Sequence, residues 1–217
     1  MTVSTKQVYL IRHAQSIENV ALQHALDGIY RLGRLQIPTT EQLAATRHLL
    51  FSHDKDADVS DRGLEQIADL RSMLDRDNWW SIMKPDAIFC SPLVRAKKTC
   101  MGIMARDEDR ESVQVLECLR EVTPYETLFP SAFKSRIKEF ERFLKSSNAS
   151  TVVVVGHSQY FRSMLGGGML RNCDLVSVTA TFDMLGRCEW KGVKLLYRSA
   201  LATPNPWLQE EDLTQLV

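Results

Sequence analysis

Short, uninterrupted apolar runs alternate along this chain with longer stretches of helical spacing. Val8 to Ile11 and Thr151 to Val155 are apolar and largely β-branched, the pattern of strands buried on both faces. Asp86 to Ser91 and Val113 to Cys118 read as further short strands, and Val178 to Leu185 and Val193 to Leu201 as two more near the C-terminal end. Between them the spacing predicts helices over Ile17 to Ile29, Glu41 to Phe51, Asp61 to Leu74, Ser131 to Leu144 and Gln159 to Leu170, the last broken by Gly166-Gly167-Gly168. Pro92 is placed to open another helix at its first turn. The expected inner stripe is Ile17, Val20, Ala21, Leu22 and Leu26 in the first helix, and Leu64, Ile67, Ala68 and Met73 in the third. Ser52 to Ser60 is polar and acidic and reads as a loop, and Trp79-Trp80 as the anchor of a helix end in the core. Strands alternating with helices predict an α/β fold, a three-layer sandwich with a mixed, mostly parallel sheet flanked by helices. No repeat or linker interrupts the pattern, so residues 1–217 are expected to form a single domain.

Composition narrows the partners. The 27 basic residues balance the 27 acidic ones, so no global field draws the chain to nucleic acid or a membrane surface. Any affinity for anions must therefore be local. No apolar stretch approaches membrane-spanning length, and the start of the chain has no signal-peptide pattern. Cys90, Cys100, Cys118, Cys173 and Cys188 are scattered and odd in number, which suits free thiols in a reducing compartment. A cytoplasmic location is the expectation.

Three strand ends collect polar residues: Arg12 and His13 after the first run; Ser91, Arg95 and Thr99 after the strand at residue 86; His157 and Ser158 after Val155. Open α/β sheets bind ligands outside the carboxyl ends of their strands. Two guanidiniums and two imidazoles brought to one crevice suit a tetrahedral oxyanion, because the planar arginine fork bonds phosphate oxygens in pairs and stays charged. An imidazole kept neutral by those cations could attack phosphorus. His24, His48 and His53 lack such company and read as surface residues. Asp54, Asp56, Asp58 and Glu65 fall at calcium-loop spacing, but Val59 stands where that loop needs glycine, so a solvated acidic loop is expected.

Arg12-His13-Ala14-Gln15-Ser16 followed by Asn19 resembles the first motif of the histidine phosphatase superfamily, in its phosphoglycerate mutase-like branch. Ser91-Pro92-Leu93-Val94-Arg95-Ala96-Lys97-Lys98-Thr99 is similar to the second motif, Leu119-Arg120-Glu121 to the third and Val155-Gly156-His157-Ser158 to the fourth. Asp58 to Gly63 with Gln66 resembles the loop-to-helix segment that follows the first motif. The matches occur in the family's order and span residues 12 to 158.

The resemblance implies a phosphoglycerate mutase-like fold and a role for each matched position. His13 would be the nucleophile, and Arg12, Arg95 and His157 would hold the phosphoryl group. Asn19 and Ser158 would contribute to the substrate pocket, and Glu121 would protonate the leaving oxygen and then activate water. No metal or other cofactor is implied. Two departures stand out: Ala14 replaces the usual glycine, and Val122-Thr123-Pro124-Tyr125-Glu126 replaces the segment that usually follows the acid, leaving Glu117 and Glu126 as rivals to Glu121. The expected activity is hydrolysis of a phosphate monoester, on a small molecule or a phosphoprotein. A phosphomutase and a non-catalytic phospholigand-binding module on the same fold are the alternatives.

Overall fold

A computed structural model describes residues 4–51, 56–104 and 112–202 of the chain, with side chains described throughout these segments except at 48–51. The first strand, β1 (Ser4–Arg12), leads to α1 (Ile17–Gly33), α2 (Thr40–Phe51), α3 (Asp61–Arg76) and the short α4 (Trp79–Met83). Next come β2 (Ala87–Cys90), α5 (Val94–Ile103), β3 (Val113–Val115) and a 3-10 turn (Glu117–Leu119). The chain continues through α6 (Pro124–Leu128), α7 (Pro130–Ser146), β4 (Thr151–Gly156), α8 (Ser158–Leu165), β5 (Leu175–Phe182) and β6 (Cys188–Tyr197). The strands form a six-stranded sheet in the order β3-β2-β4-β1-β5-β6. The pairs from β3 to β1 are parallel, and β5 and β6 add an antiparallel edge.

Strand alternation divides the core into two layers. Val8, Leu10, Val152 and Val154 face Phe133, Ile137 and Phe140 of α7 and Tyr160 and Phe161 of α8. Ile11, Val153 and Val155 face Ile67, Leu70 and Leu74 of α3 and Ala96, Cys100 and Ile103 of α5. Because both faces of β1 and β4 are covered, continuous apolar runs are what these strands require. Trp79 and Trp80 pack at the margin of the second layer, as their sequence position suggested. All five cysteines are free thiols. No described helix is long and apolar enough to cross a membrane.

Several local expectations shift. The inner face of α3 comprises Gly63, Gln66, Ile67, Leu70, Met73 and Leu74, whereas Leu64 and Ala68 are exposed. The cause is at its N-terminus: a Cβ on Gly63 would lie 2.2 Å from the Gln15 carbonyl oxygen, so the helix docks closer than any other residue would permit. The Gln66 side chain is then drawn inside to accept the Gln15 N–H at 2.9 Å. In α1 the buried residues are Ala21, Ala25 and Gly28, while Ile17 and Leu22 are exposed, because α1 packs on α2 rather than on the sheet. β5 begins earlier than expected, its register with β1 starting at Ile11 opposite Leu175, and β6 ends at Tyr197. The strand expected to reach Cys118 stops at Val115 and gives way to the 3-10 turn. Asn78 and Lys84 bound α4 in left-handed backbone, a short helix that apolar spacing alone does not reveal.

Candidate active site

The parallel strands β1, β2 and β4 end side by side, and their exits deliver the polar residues that the sequence singles out. His13 follows β1 and His157 follows β4; their ring centroids lie 5.0 Å apart. The His13 backbone is braced on both sides: its N–H donates to the Gly156 carbonyl at 2.9 Å, and its carbonyl accepts from Asn172 Nδ2 at 2.8 Å. Ala14 N–H donates to Thr99 Oγ1, which donates in turn to the Arg95 carbonyl, tying the first motif to α5. Ala14 itself is fully buried.

The tautomer of His13 follows from its contacts. Nδ1 lies 2.6 Å from the Ala14 carbonyl oxygen, which can only accept, so Nδ1 carries the proton. Nε2 is left with its lone pair, and Arg95 Nε donates toward it at 3.3 Å. Burial, then the charges of His157, Arg12 and Arg95, hold His13 well below its ordinary value, so the ring is neutral at physiological pH. A buried, neutral imidazole with one nitrogen fixed by a backbone carbonyl has its other nitrogen free of a proton, the chemical requirement of a nucleophile.

His157 is oriented from β2. Ser91 Oγ accepts the Leu93 N–H at 3.4 Å and lies 2.7 Å from His157 Nε2; in the tautomer protonated on Nδ1 the hydroxyl donates to Nε2. That Nδ1, like the buried Nε of Arg12, has no hydrogen-bond partner among the described residues. Buried donors without partners are costly, about 1–3 kcal/mol each; Trp80 Nε1 and Tyr160 OH are the other two among the described residues, and only the Arg12 and His157 nitrogens belong to the strand exits. Arg12 Nη1 is held by the Leu170 carbonyl at 2.7 Å, which leaves its Nε edge for the crevice.

Glu121 closes the other side. Its Oε2 lies 3.9 Å from His157 Nδ1, and its Oε1 accepts the Val122 N–H at 2.9 Å. Burial raises this carboxyl above its ordinary value; the Val122 N–H, Arg12, Arg95 and the Tyr160 N–H at the start of α8 only partly offset that. A buried carboxyl with a raised pKa beside two guanidiniums and an imidazole is chemically suited to donate a proton. Its two rivals are occupied elsewhere. Glu126 caps α6 with Thr123 and pairs with Arg136 at 2.7 Å, and Arg136 pulls its carboxyl below the ordinary value. Glu117 lies on an exposed turn, paired with Arg120 at 3.0 Å.

The remaining sequence candidates are placed less directly. Asn19 completes a capping box with Ser16 at the start of α1, its Oδ1 accepting the Ser16 N–H at 3.2 Å. Ser158 Oγ donates to the Leu170 carbonyl at 3.0 Å, sharing that acceptor with Arg12. Asp56 accepts the Val94 N–H and Asp58 pairs with Lys98, while Asp54 lies outside the described residues. His24 is half-buried on α1, His53 is outside the described residues, and the side chain of His48 is not among those described. Sequence reasoning overlooked Asn172, Leu170 and Glu18. Glu18 Oε2 stands 3.4 Å from Arg95 Nη1, and nothing in the pattern of α1 sets it apart from a solvated helix residue.

The family model of the histidine phosphatase superfamily (branch 1) matches residues 39–128. That segment holds Arg95 and Glu121 but not His13 or His157. No curated protein matches the chain. Solved structures agree over nearly its full length. A mycobacterial hydrolase shares 15% identity at a TM-score of 0.55, covering 98% of this chain and 96% of its own. A mycobacterial glucosyl-3-phosphoglycerate phosphatase shares 14% at 0.53, covering 88% and 97%. A phosphoglycerate mutase from Bacillus anthracis shares 15% at 0.52, covering 81% and 88%. The chain thus shares the fold of the phosphoglycerate mutase and of these phosphatase and hydrolase structures, and its residues 39–128 match the model of the histidine phosphatase superfamily.

Proposed function

We propose that the chain hydrolyses phosphate monoesters through a phosphohistidine formed on Nε2 of His13. The observation that carries this reading is the Nδ1 contact with the Ala14 carbonyl, which leaves the lone pair on Nε2, beside the Arg95 guanidinium; Arg12 Nε and His157 Nδ1 are buried nearby without partners among the described residues. A phosphoryl group between them would satisfy both. Arg12, Arg95 and His157 stabilise charge on its equatorial oxygens, the main requirement of phosphoryl transfer.

In the first step the Nε2 lone pair forms the N–P bond as the P–O ester bond breaks, and Glu121 gives its proton to the departing alkoxide. In the second step Glu121 takes a proton from water as that oxygen attacks phosphorus. The N–P bond breaks, its electron pair returns to Nε2, and inorganic phosphate leaves. The two guanidiniums supply the cationic charge for both steps, and the scheme assigns no role to a metal. The ester is borne by a small molecule or a phosphoprotein.

Rapid-quench trapping with a labelled phosphomonoester tests this reading. A base-stable, acid-labile label on the wild type, absent from His13→Ala, is the expected result. A label that persists for minutes in water would mean transfer to a second alcohol rather than hydrolysis. Tight phosphate binding with no label from any ester would overturn the catalytic reading.

A further inference from the structure

The cradle holds cationic charge for one phosphoryl group, and the cations around it are already matched. Burial, and after it the charges of four arginines, Arg95, Arg12, Arg136 and Arg120, hold His157 well below its ordinary value. Three of them have a carboxylate partner. Arg95 Nη1 faces Glu18 at 3.4 Å, Arg136 Nη2 pairs with Glu126 at 2.7 Å, and Arg120 Nη2 pairs with Glu117 at 3.0 Å. Arg12 differs from these three: its Nη1 is held by the Leu170 carbonyl, and its buried Nε has no partner among the described residues. Lys98, one residue before Thr99, is paired with Asp58 at 2.6 Å.

Glu18 is the least expected of these partners. Ser16 and Asn19 cap α1 and fix its first turn, which carries the Glu18 carboxylate to the outer edge of Arg95. The same guanidinium donates through Nε to His13 Nε2, so Glu18 sits one side chain away from the attacking nitrogen. Its own side chain is about one-third exposed, which places it where the crevice meets solvent.

A substrate carrying a second anionic group near the scissile phosphate would need a cation at this rim. It would find Arg95 paired on that edge and the Glu18 carboxylate beside the crevice. We infer that Glu18 acts as a charge filter, making the preferred substrates monoesters of neutral or cationic alcohols rather than of phospho-acids or bisphosphates. The inference rests on the phosphatase reading and narrows it to a substrate class.

The test compares kcat/KM for glycerol phosphate and phosphoethanolamine with that for 3-phosphoglycerate, in the wild type and in Glu18→Gln. The Glu18 carboxylate and a substrate carboxylate several ångströms away, at a site about one-third exposed, repel enough to change the preference about tenfold. The wild type should favour the neutral and cationic alcohols by about that factor or more. Glu18→Gln should narrow the ratio at least about threefold, through a lower KM for 3-phosphoglycerate with kcat less affected. Glu18→Ala should do the same, which separates charge from the shape of the amide. A wild type that prefers 3-phosphoglycerate, or a ratio unmoved in both variants, overturns the charge filter while leaving hydrolysis intact. Absence of turnover and of phosphoenzyme with every ester overturns both readings.

Discussion

Glu121 and Glu126 lie five residues apart on the same connection, yet their surroundings set them to opposite tasks. Glu121 ends a loop that faces the strand exits; it is mostly buried, and its carboxyl accepts the Val122 N–H at 2.9 Å and pairs with no arginine side chain among the described residues. Burial therefore dominates and raises its pKa. Glu126 caps α6 and accepts two hydrogen bonds from Arg136, from Nε and Nη2, both at 2.7 Å. There the guanidinium dominates and lowers the pKa. One carboxyl is held ready to give a proton and the other to keep an ion pair. Arg136 connects the two roles, since it also donates to the backbone carbonyls of Cys118, Arg120 and Glu121 and so fixes the loop that carries the acid.

Substitutions can break or sharpen this contrast. The largest effect belongs to neither glutamate: His13→Ala should reduce turnover by at least about 10⁴-fold, because no other group replaces an attacking nitrogen. Single-turnover kinetics with an aryl phosphate would measure it. Glu121→Gln should slow hydrolysis by about 10²–10⁴-fold for alkyl phosphates and far less for aryl phosphates, whose leaving groups need no proton. A plot of rate against leaving-group pKa that steepens in this variant supports the assignment. An unchanged slope there, with a steeper one in Glu126→Gln, would reverse it.

Ser91→Ala removes the hydroxyl that orients His157 through Nε2, and phosphate affinity should fall about tenfold, read by product inhibition. Glu126→Gln should change turnover less than about threefold. It should instead cost about 1–3 kcal/mol of stability, because it leaves Arg136 without its charged partner at a mostly buried position. The sign with pH is fixed. A carboxyl held below its ordinary value of 4.5 adds stability above that pH and loses it as pH falls through the folded-state value. The deficit of Glu126→Gln, measured by urea unfolding, should therefore shrink below about pH 4.5.

Much of the architecture was legible in the chain itself. Apolar runs such as Val152 to Val155 admit only burial on both faces, and Arg12-His13 and His157 stand where such runs end. Because parallel strands deliver their C-terminal ends to one edge, a local pattern was enough to predict that these side chains meet. Helical faces were less legible where the partner was not the sheet. Ile17 and Leu22 fit an apolar stripe by spacing, yet α1 packs against α2 through Ala21, Ala25 and Gly28, with the Gln42 Cβ only 3.2 Å from where a Gly28 Cβ would stand. In α3 the close approach of Gly63 to Gln15 turned a polar residue, Gln66, inward in place of Leu64.

The chemistry divides along the same line. Residue type and order were enough to single out His13, the arginines and the set of candidate acids, because a phosphoryl site calls for fixed cations and a neutral imidazole. Which acid faces the cradle was decided by tertiary structure, since Glu117, Glu121 and Glu126 are alike in sequence and differ only in what surrounds them. Desolvation and pairing depend on residues distant along the chain, and no local pattern encodes them. Glu18 belongs with these. Its spacing marks it as one more solvated helix residue, and only the docking of α1 beside α5 brings it to Arg95.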